Sequence, residues 1–304
     1  MNPLLEITLL GTGGMMPLRD RALASAMLRH QGKCVLIDCG EGTQVRIHDC
    51  GYSFKSIDAI LLTHFHADHV SGLPGLLLSM SNQGRTEKVR IAGPRGVQTV
   101  VNALRIIAPR LPFEIEFIEI DAPEAFRIGE LEIMPMTLRH GVDCVGYQIR
   151  LPRAGRFQPE RAKAAGVPLK LWSVLQKQPI AECDGRVFTR EMVMTPPRKG
   201  ITVLYATDTR PVPAIAELGR DADLMILEGM YGEEEKRSRA EEVGHMMMDE
   251  AARLAREANA KRLWLTHYSP AMPDAEIYLD GVREIFPNAE AGFDGLNACI
   301  RFED

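Results

Sequence analysis

Four metal-competent side chains fall within six residues in the stretch Thr63-His64-Phe65-His66-Ala67-Asp68-His69, directly after the apolar run 57–62. Packing such a cluster against a buried strand costs heavily in desolvation unless an ion compensates, so the chain must fold to bring this strand end into a metal-lined cleft. Side chains two apart in extended chain point the same way, which lets His64 and His66 reach one ion. Asp68 and His69, where the chain turns toward a helix, are offset toward a second. Imidazole and carboxylate donors without thiolate suit Zn2+, with Mn2+ or Fe2+ as alternatives.

The surrounding sequence has the rhythm of an α/β protein, with short apolar stretches ending in Gly, Asp or His alternating with stretches of helical period. Strands are expected at 6–10, 24–29, 34–38, 59–63, 89–92, 113–120, 131–138, 145–151, 202–206, 224–228, 262–266 and 298–302. Helices are expected at 43–49, 70–80, 96–107, 212–218, 241–258 and 275–285. Two strands end alike, in Leu62-Thr63-His64-Phe65 and Leu265-Thr266-His267-Tyr268. Such an echo is expected if two similar halves bring the C-terminal ends of their strands to one cleft, the usual place for function in open α/β sheets. His140, Asp208 and His267 each follow an expected strand, and with the 64–69 cluster they complete a donor set for a binuclear centre. Asp208 is the natural bridging carboxylate, because two cations ~3.5–4 Å apart need an anion between them. The turn Gly11-Thr12-Gly13-Gly14 reads either as backbone amides for a phosphate or as a tight turn near the metals. His30 and His48 have no partners in this pattern, and Met134, Met136, Met246, Met247 and Met248 read as core filler.

With 304 residues, 45% of them hydrophobic and 25% charged, the chain suffices for one large or two ordinary domains, which excludes disorder and fibres. No apolar run approaches the ~18 residues that cross a bilayer. The opening Met1-Asn2-Pro3-Leu4-Leu5-Glu6 lacks the basic-then-apolar order of a secretion signal, so the cytoplasm is the expected location. Cys34, Cys39, Cys50, Cys144, Cys183 and Cys299 form no CxxC pair and are expected to be reduced and buried. The Pro- and Gly-rich stretch 152–198 breaks the rhythm and reads as an insertion projecting from the core. Residues 150–200 hold eleven Lys or Arg against four acids, a net +7 in a chain of net −5, which leaves −12 for the rest. A basic segment on an acidic body either solvates itself or meets a polyanion.

HxHxDH with distant His, Asp and His resembles the metallo-β-lactamase superfamily. Several further motifs are similar to the ribonuclease Z family within it, the endonucleases that trim tRNA precursors at the 3′ end. They are Leu10-Gly11-Thr12-Gly13-Gly14, Ile37-Asp38-Cys39-Gly40-Glu41-Gly42-Thr43-Gln44, the stretch 62–76, Arg139-His140-Gly141 with Gly146-Tyr147, and Thr207-Asp208-Thr209-Arg210. The resemblance runs from residue 5 to about 300. It implies a single domain over 1–304, a four-layer αβ/βα metallo-β-lactamase sandwich, with a flexible basic arm inserted at 152–198.

The same resemblance implies that His64, His66 and His140 bind one zinc, that Asp68, His69 and His267 bind the other, and that Asp208 bridges them. A hydroxide held by the two zincs would attack the scissile phosphorus and leave a 3′-hydroxyl on the tRNA. Asp68 would orient it or accept its proton. The leaving 3′ oxygen needs a proton, and here the resemblance singles out His245, oriented by Glu228. Unaided, His245 reads as a partly buried residue near the start of a helix. In the family the arm grips the elbow of tRNA, typically from the partner subunit of a homodimer. Three departures stand out: Leu227-Glu228-Gly229-Met230 has Leu where a His is common, His245-Met246-Met247 replaces small hydroxyl residues, and Gly166-Val167-Pro168-Leu169-Lys170-Leu171-Trp172 lacks the Gly-Pro element of the arm. The nearest alternative, a small-molecule phosphodiesterase or other hydrolase of the superfamily, leaves the charge of the arm unused. A non-catalytic RNA-binding relative would have lost ligands, and all seven are present.

Overall fold

The computed structural model describes residues 4–303; residues 1–3 and 304, part of the domain expected over 1–304, lie outside the described residues. The chain divides into a larger unit, which reaches Arg150 and resumes over Ile201–Arg301, and a smaller one made by Leu151–Gly200 with the C-terminal residues from Phe302.

The larger unit opens with β1 (Leu4–Gly11), β2 (Ser25–His30), β3 (Lys33–Ile37), α1 (Thr43–Asp49), β4 (Ile57–Leu61), α2 (Ala67–Val70), α3 (Leu73–Asn82), β5 (Val89–Pro94), α4 (Val97–Leu104) and β6 (Ile115–Ile120). β7 (Phe126–Ile128), β8 (Leu131–Thr137) and β9 (Val145–Arg153) follow, and β9 carries the chain into α5 (Pro159–Ala164), α6 (Leu169–Leu175), β10 (Ile180–Cys183) and β11 (Arg186–Thr189). β12 (Arg198–Ala206) leads back to α7 (Pro213–Leu218), β13 (Leu224–Glu228), α8 (Arg237–Val243), α9 (Met248–Glu257), β14 (Leu263–Thr266), α10 (Leu279–Ile285), β15 (Ala289–Ala291) and β16 (Asn297–Arg301).

Two seven-stranded sheets result, ordered β16-β1-β2-β3-β4-β5-β6 and β15-β14-β13-β12-β9-β8-β7. In each, one side is parallel (β3 to β6, β12 to β15); the inner strands β13 and β14 are buried at every position because both of their faces are covered, whereas the edge strands β6 and β15 carry Glu116, Glu119 and Glu290. Helices α1, α3 and α4 set Ile47, Leu76 and Val101 against Leu36, Ile60 and Ile91 of the first sheet. On the second sheet α7, α9 and α10 set Ile215, Ala252 and Leu279 against Leu204, Met225 and Leu265. The inner faces meet where the Tyr147 hydroxyl donates to the Leu62 carbonyl at 2.6 Å. This is an α/β sandwich of four layers, helices, sheet, sheet, helices, and the strand ends on each sheet are free to carry ligands.

Two expectations fail for identifiable reasons. The single helix expected at 241–258 is broken: α8 ends at Gly244, whose φ of 79° is left-handed, and α9 restarts at Met248 with Glu250 accepting from the Met247 N–H at 2.9 Å. The periodicity ran through the break because Met246, Met247 and Met248 are all buried. The stretch 152–198, expected as an insertion projecting from the core, falls in the smaller unit and has its own core, with α5, α6 and the β10–β11 hairpin closing around Ala162, Val167, Leu171, Leu175, Phe188 and Val193. Of the six free cysteines, Cys50 is half-buried and Cys299 exposed, against expectation; residues 297, 299 and 301 of β16 all face solvent. No helix among the described residues is long and apolar enough to cross a membrane.

Candidate metal centre

Both sheets deliver donors from strand ends. The chain leaving β4 carries His64 and His66, and the short helix α2 carries Asp68 and His69. His140 follows β8, Asp208 follows β12 and His267 follows β14. His66 Nδ1 lies 2.9 Å from His64 Nε2 and 3.4 Å from His140 Nε2. Asp68 Oδ2 lies 3.5 Å from His69 Nε2 and 3.7 Å from His267 Nε2. Asp208 stands between these two groups, with Oδ1 4.0 Å from His64 Nε2 and Oδ2 3.3 Å from both His69 Nε2 and His267 Nε2. His30 and His48 stay outside: the first bonds the Leu4 carbonyl at 2.8 Å and the second is exposed.

The donors fit a divalent cation. His69 Nε2, Asp208 Oδ2 and both ring nitrogens of His267 are buried without a hydrogen-bond partner. Each such atom costs about 1–3 kcal/mol, and an ion that takes their lone pairs removes most of that cost. Burial and the adjacent His69 push His64 down to about 2, so its lone pair is free at neutral pH. Burial opposes ionisation of Asp208, yet His267, His69 and His64 hold its carboxyl well below the ordinary range. Asp68 is held low in the same way, the hydrogen bonds of His267 and His69 outweighing burial.

Asp38 was missed in the sequence. It is fully buried, accepts from the Thr63 N–H and hydroxyl at 2.8 and 2.9 Å, and bonds His69 Nδ1 at 2.9 Å, which turns Nε2 of that ring toward the centre. Its signal was an acid directly after an apolar strand, the context that singled out Asp208. Asp38, Asp208 and His267 share a further feature, left-handed backbone with φ of 57, 55 and 57°. Non-glycine residues adopt it at a cost of about 1 kcal/mol or more each, and such strain concentrates at functional sites.

The glycine turn is a tight turn and not a phosphate cradle. The amides of Thr12 and Gly13 bond the Ala22 carbonyl, and that of Gly14 bonds the Tyr268 carbonyl. Gly14 lies against the His267 ring, where a Cβ would come 2.7 Å from Cε1. The next amide, of Met15, donates to Asp68 Oδ2 at 2.7 Å.

His245 lies in the break between α8 and α9, three residues before α9 begins, and not inside one continuous helix. Its Nδ1 is 2.8 Å from Glu228 Oε2 and 3.9 Å from Asp208 Oδ1. Glu228 is fully buried at the end of β13 and also accepts from the Thr209 N–H at 2.6 Å. Arg210, paired with both Glu250 oxygens, donates to the His245 carbonyl at 2.6 Å and fixes the break in place. Burial disfavours the imidazolium, but the charge and hydrogen bond of Glu228 win and push the pKa of His245 up to about 9. The neighbouring Gly244 carbonyl lies 3.2 Å from His140 Nδ1, and a Cβ on Gly244 would come 3.1 Å from that nitrogen in a conformation alanine resists. Gly244→Ala is therefore expected to weaken metal binding about tenfold. Competitive titration with a chromogenic chelator measures it, and wild-type affinity would show that the carbonyl does not steady His140.

Residues 5–106 match the family described as anti-Pycsar protein Apyc1, and residues 189–268 match the β-lactamase superfamily domain. A ribonuclease Z from Lachnoclostridium phytofermentans is 52% identical over 301 residues, 99% of each chain. Another, from Agathobacter rectalis, is 48% identical over 302 residues, 99% of this chain and 100% of its own. Human tRNase Z, short form, shares the fold with a TM-score of 0.69 at 23% identity over 96% of this chain and 98% of that one. The metallo-β-lactamase fold protein YhfI from Bacillus subtilis does so with a TM-score of 0.71 at 19% identity over 98% and 100%. About half of all positions, end to end, are shared with the bacterial relatives, and the chain belongs to the ribonuclease Z family.

Proposed function

We propose that the protein is a metal-dependent endoribonuclease that removes the 3′ trailer from tRNA precursors and leaves a 3′-hydroxyl on the tRNA. The observation that carries this is a complete seven-residue donor set, with the Glu228–His245 pair beside it, in a chain matching ribonuclease Z over 99% of its length. The unpartnered atoms of His69, Asp208 and His267 support two Zn2+ per subunit. His64, His66 and His140 would hold one, Asp68, His69 and His267 the other, with Asp208 shared.

Bound there, the ions supply charge stabilisation for the phosphoryl oxygens and a lowered pKa for the attacking water. Asp68, its Oδ2 held by the Met15 N–H, orients that water and takes its proton. His245, kept protonated by Glu228, gives a proton to the departing 3′ oxygen. The eleven Lys and Arg of 150–200 bind the tRNA backbone, and recognition by phosphates and shape suits a folded RNA. The enzyme acts in the cytoplasm as a homodimer on this reading.

The test is a purified protein incubated with a 3′-extended tRNA precursor, with and without chelator, and the product end mapped. Cleavage elsewhere than at the trailer junction, or cleavage that survives chelation, would refute the reading. His245→Ala is expected to retain metal while turnover falls ~10²–10⁴-fold. Metal analysis that finds this variant empty would move His245 into the ligand set.

A further inference from the structure

The cavity at the metal centre holds about 250 Å3, and its walls include residues that the chemistry leaves unused, Tyr231, Arg239 and Val243. These side chains share one cavity with the donors Asp68, His140, Asp208 and His267. Arg239 is the one Lys or Arg among the residues lining the cavity, which otherwise presents the carboxylates of Asp68 and Asp208 and four imidazoles. It stands on α8, about one and a half turns before the break that carries His245, and its Nη1 donates to Glu242 at 2.7 Å in a pair open to solvent on both sides. An exposed pair of this kind contributes ~0–1 kcal/mol, so the guanidinium exchanges partners readily. Tyr231 is half-buried and rigidly placed: its carbonyl accepts from the Met248 N–H at 2.9 Å and its backbone bridges Met247, two residues beyond His245.

A polynucleotide has a base and a further phosphate beside every scissile phosphate; a small diester does not. Resting on the function proposed above, we propose that Tyr231 and Arg239 form a nucleotide subsite next to the cut, in which the phenol stacks on the adjoining base and Arg239 leaves Glu242 for that nucleotide's phosphate. Aromatic stacking tolerates any base, and a guanidinium matches a phosphate bidentately, so the subsite selects polynucleotide over small phosphodiester without reading sequence.

The experiment is steady-state cleavage of a 3′-extended tRNA precursor by the metal-loaded enzyme across a range of salt. Arg239→Ala is expected to raise KM about tenfold with kcat within about twofold, and to lower the salt slope of kcat/KM by about one. Arg239→Lys recovers part of the loss, Glu242→Gln lowers KM, and Arg253→Ala, which removes an exposed cation on α9 outside the cavity, leaves KM alone. Tyr231→Phe keeps KM within about twofold, whereas Tyr231→Leu raises it. Wild-type cleavage with an unchanged KM in Arg239→Ala, or an equal rise in Arg253→Ala, overturns this subsite alone. A wild-type enzyme that leaves the precursor intact overturns the functional reading and the subsite with it.

Discussion

Asp208→Ala is expected to empty the centre and reduce hydrolysis of every phosphodiester to background, at least ~10⁴-fold. Its carboxylate is 2% exposed and lies within 3.3 Å of His69 and His267 and 4.0 Å of His64. It is the anion shared by both groups of donors. Without it, any two cations there face each other across three imidazoles, and nothing offsets their repulsion. Because alanine also resists the left-handed backbone at this position, Asp208→Asn is the companion variant: Asn tolerates φ near 55° and removes only the charge. Metal content by atomic emission and initial rates on a tRNA precursor are the readouts. Either variant retaining metal and a tenth of the wild-type rate would deny Asp208 the shared role.

Removing the small unit tests the second large effect. Arg156 and Thr195 are hydrogen-bonded backbone to backbone at 2.8 Å, and Phe157 pairs with Met194. A short Gly-Ser link from Arg156 to Thr195 therefore excises 157–194, the whole separate core included, without stretching the chain. The expected outcome is a fall of about 10³-fold in kcat/KM for a tRNA precursor at physiological salt, with hydrolysis of bis(4-nitrophenyl) phosphate within about threefold. All seven donors, Glu228 and His245 lie outside the excised stretch. Loss of both activities together, in a variant still folded by circular dichroism, would mean that the segment supports the catalytic unit and does not recruit RNA.

How far the sequence spoke for itself follows from what each signal requires. The donors were legible because a charged or imidazole side chain directly after an apolar strand has few bland explanations, and the 64–69 cluster has fewer still. Asp38 obeys the same rule, but Gly40 and Gly42 follow it closely, and an acid before such glycines is accounted for equally well by a turn. The break at Gly244 was illegible for another reason: methionines 246 to 248 keep an apolar face running in register through it, and periodicity cannot tell a continuous helix from two that share a buried side. In 152–198 the prolines and glycines mark an insertion, and they punctuate very short elements whose aliphatic residues meet only in three dimensions, so its core was not legible. Charge asymmetry marked that segment correctly as distinct in composition, but charge carries no information about whether a segment has a core.

The break at Gly244 and His245 carries two duties on adjacent residues, a main-chain oxygen that steadies His140 and a ring poised over Asp208 and Glu228. Creep of the preceding helix by a fraction of an ångström must displace the partner of His140 and the His245 ring in the same stroke. Changes that shift α8 as a body, such as a bulkier residue at the buried Ala240, should consequently masquerade as damage to the reaction centre, depressing ion retention and turnover in fixed proportion, whereas exchange of the exposed Arg239 or Glu242 side chains should leave ion retention intact.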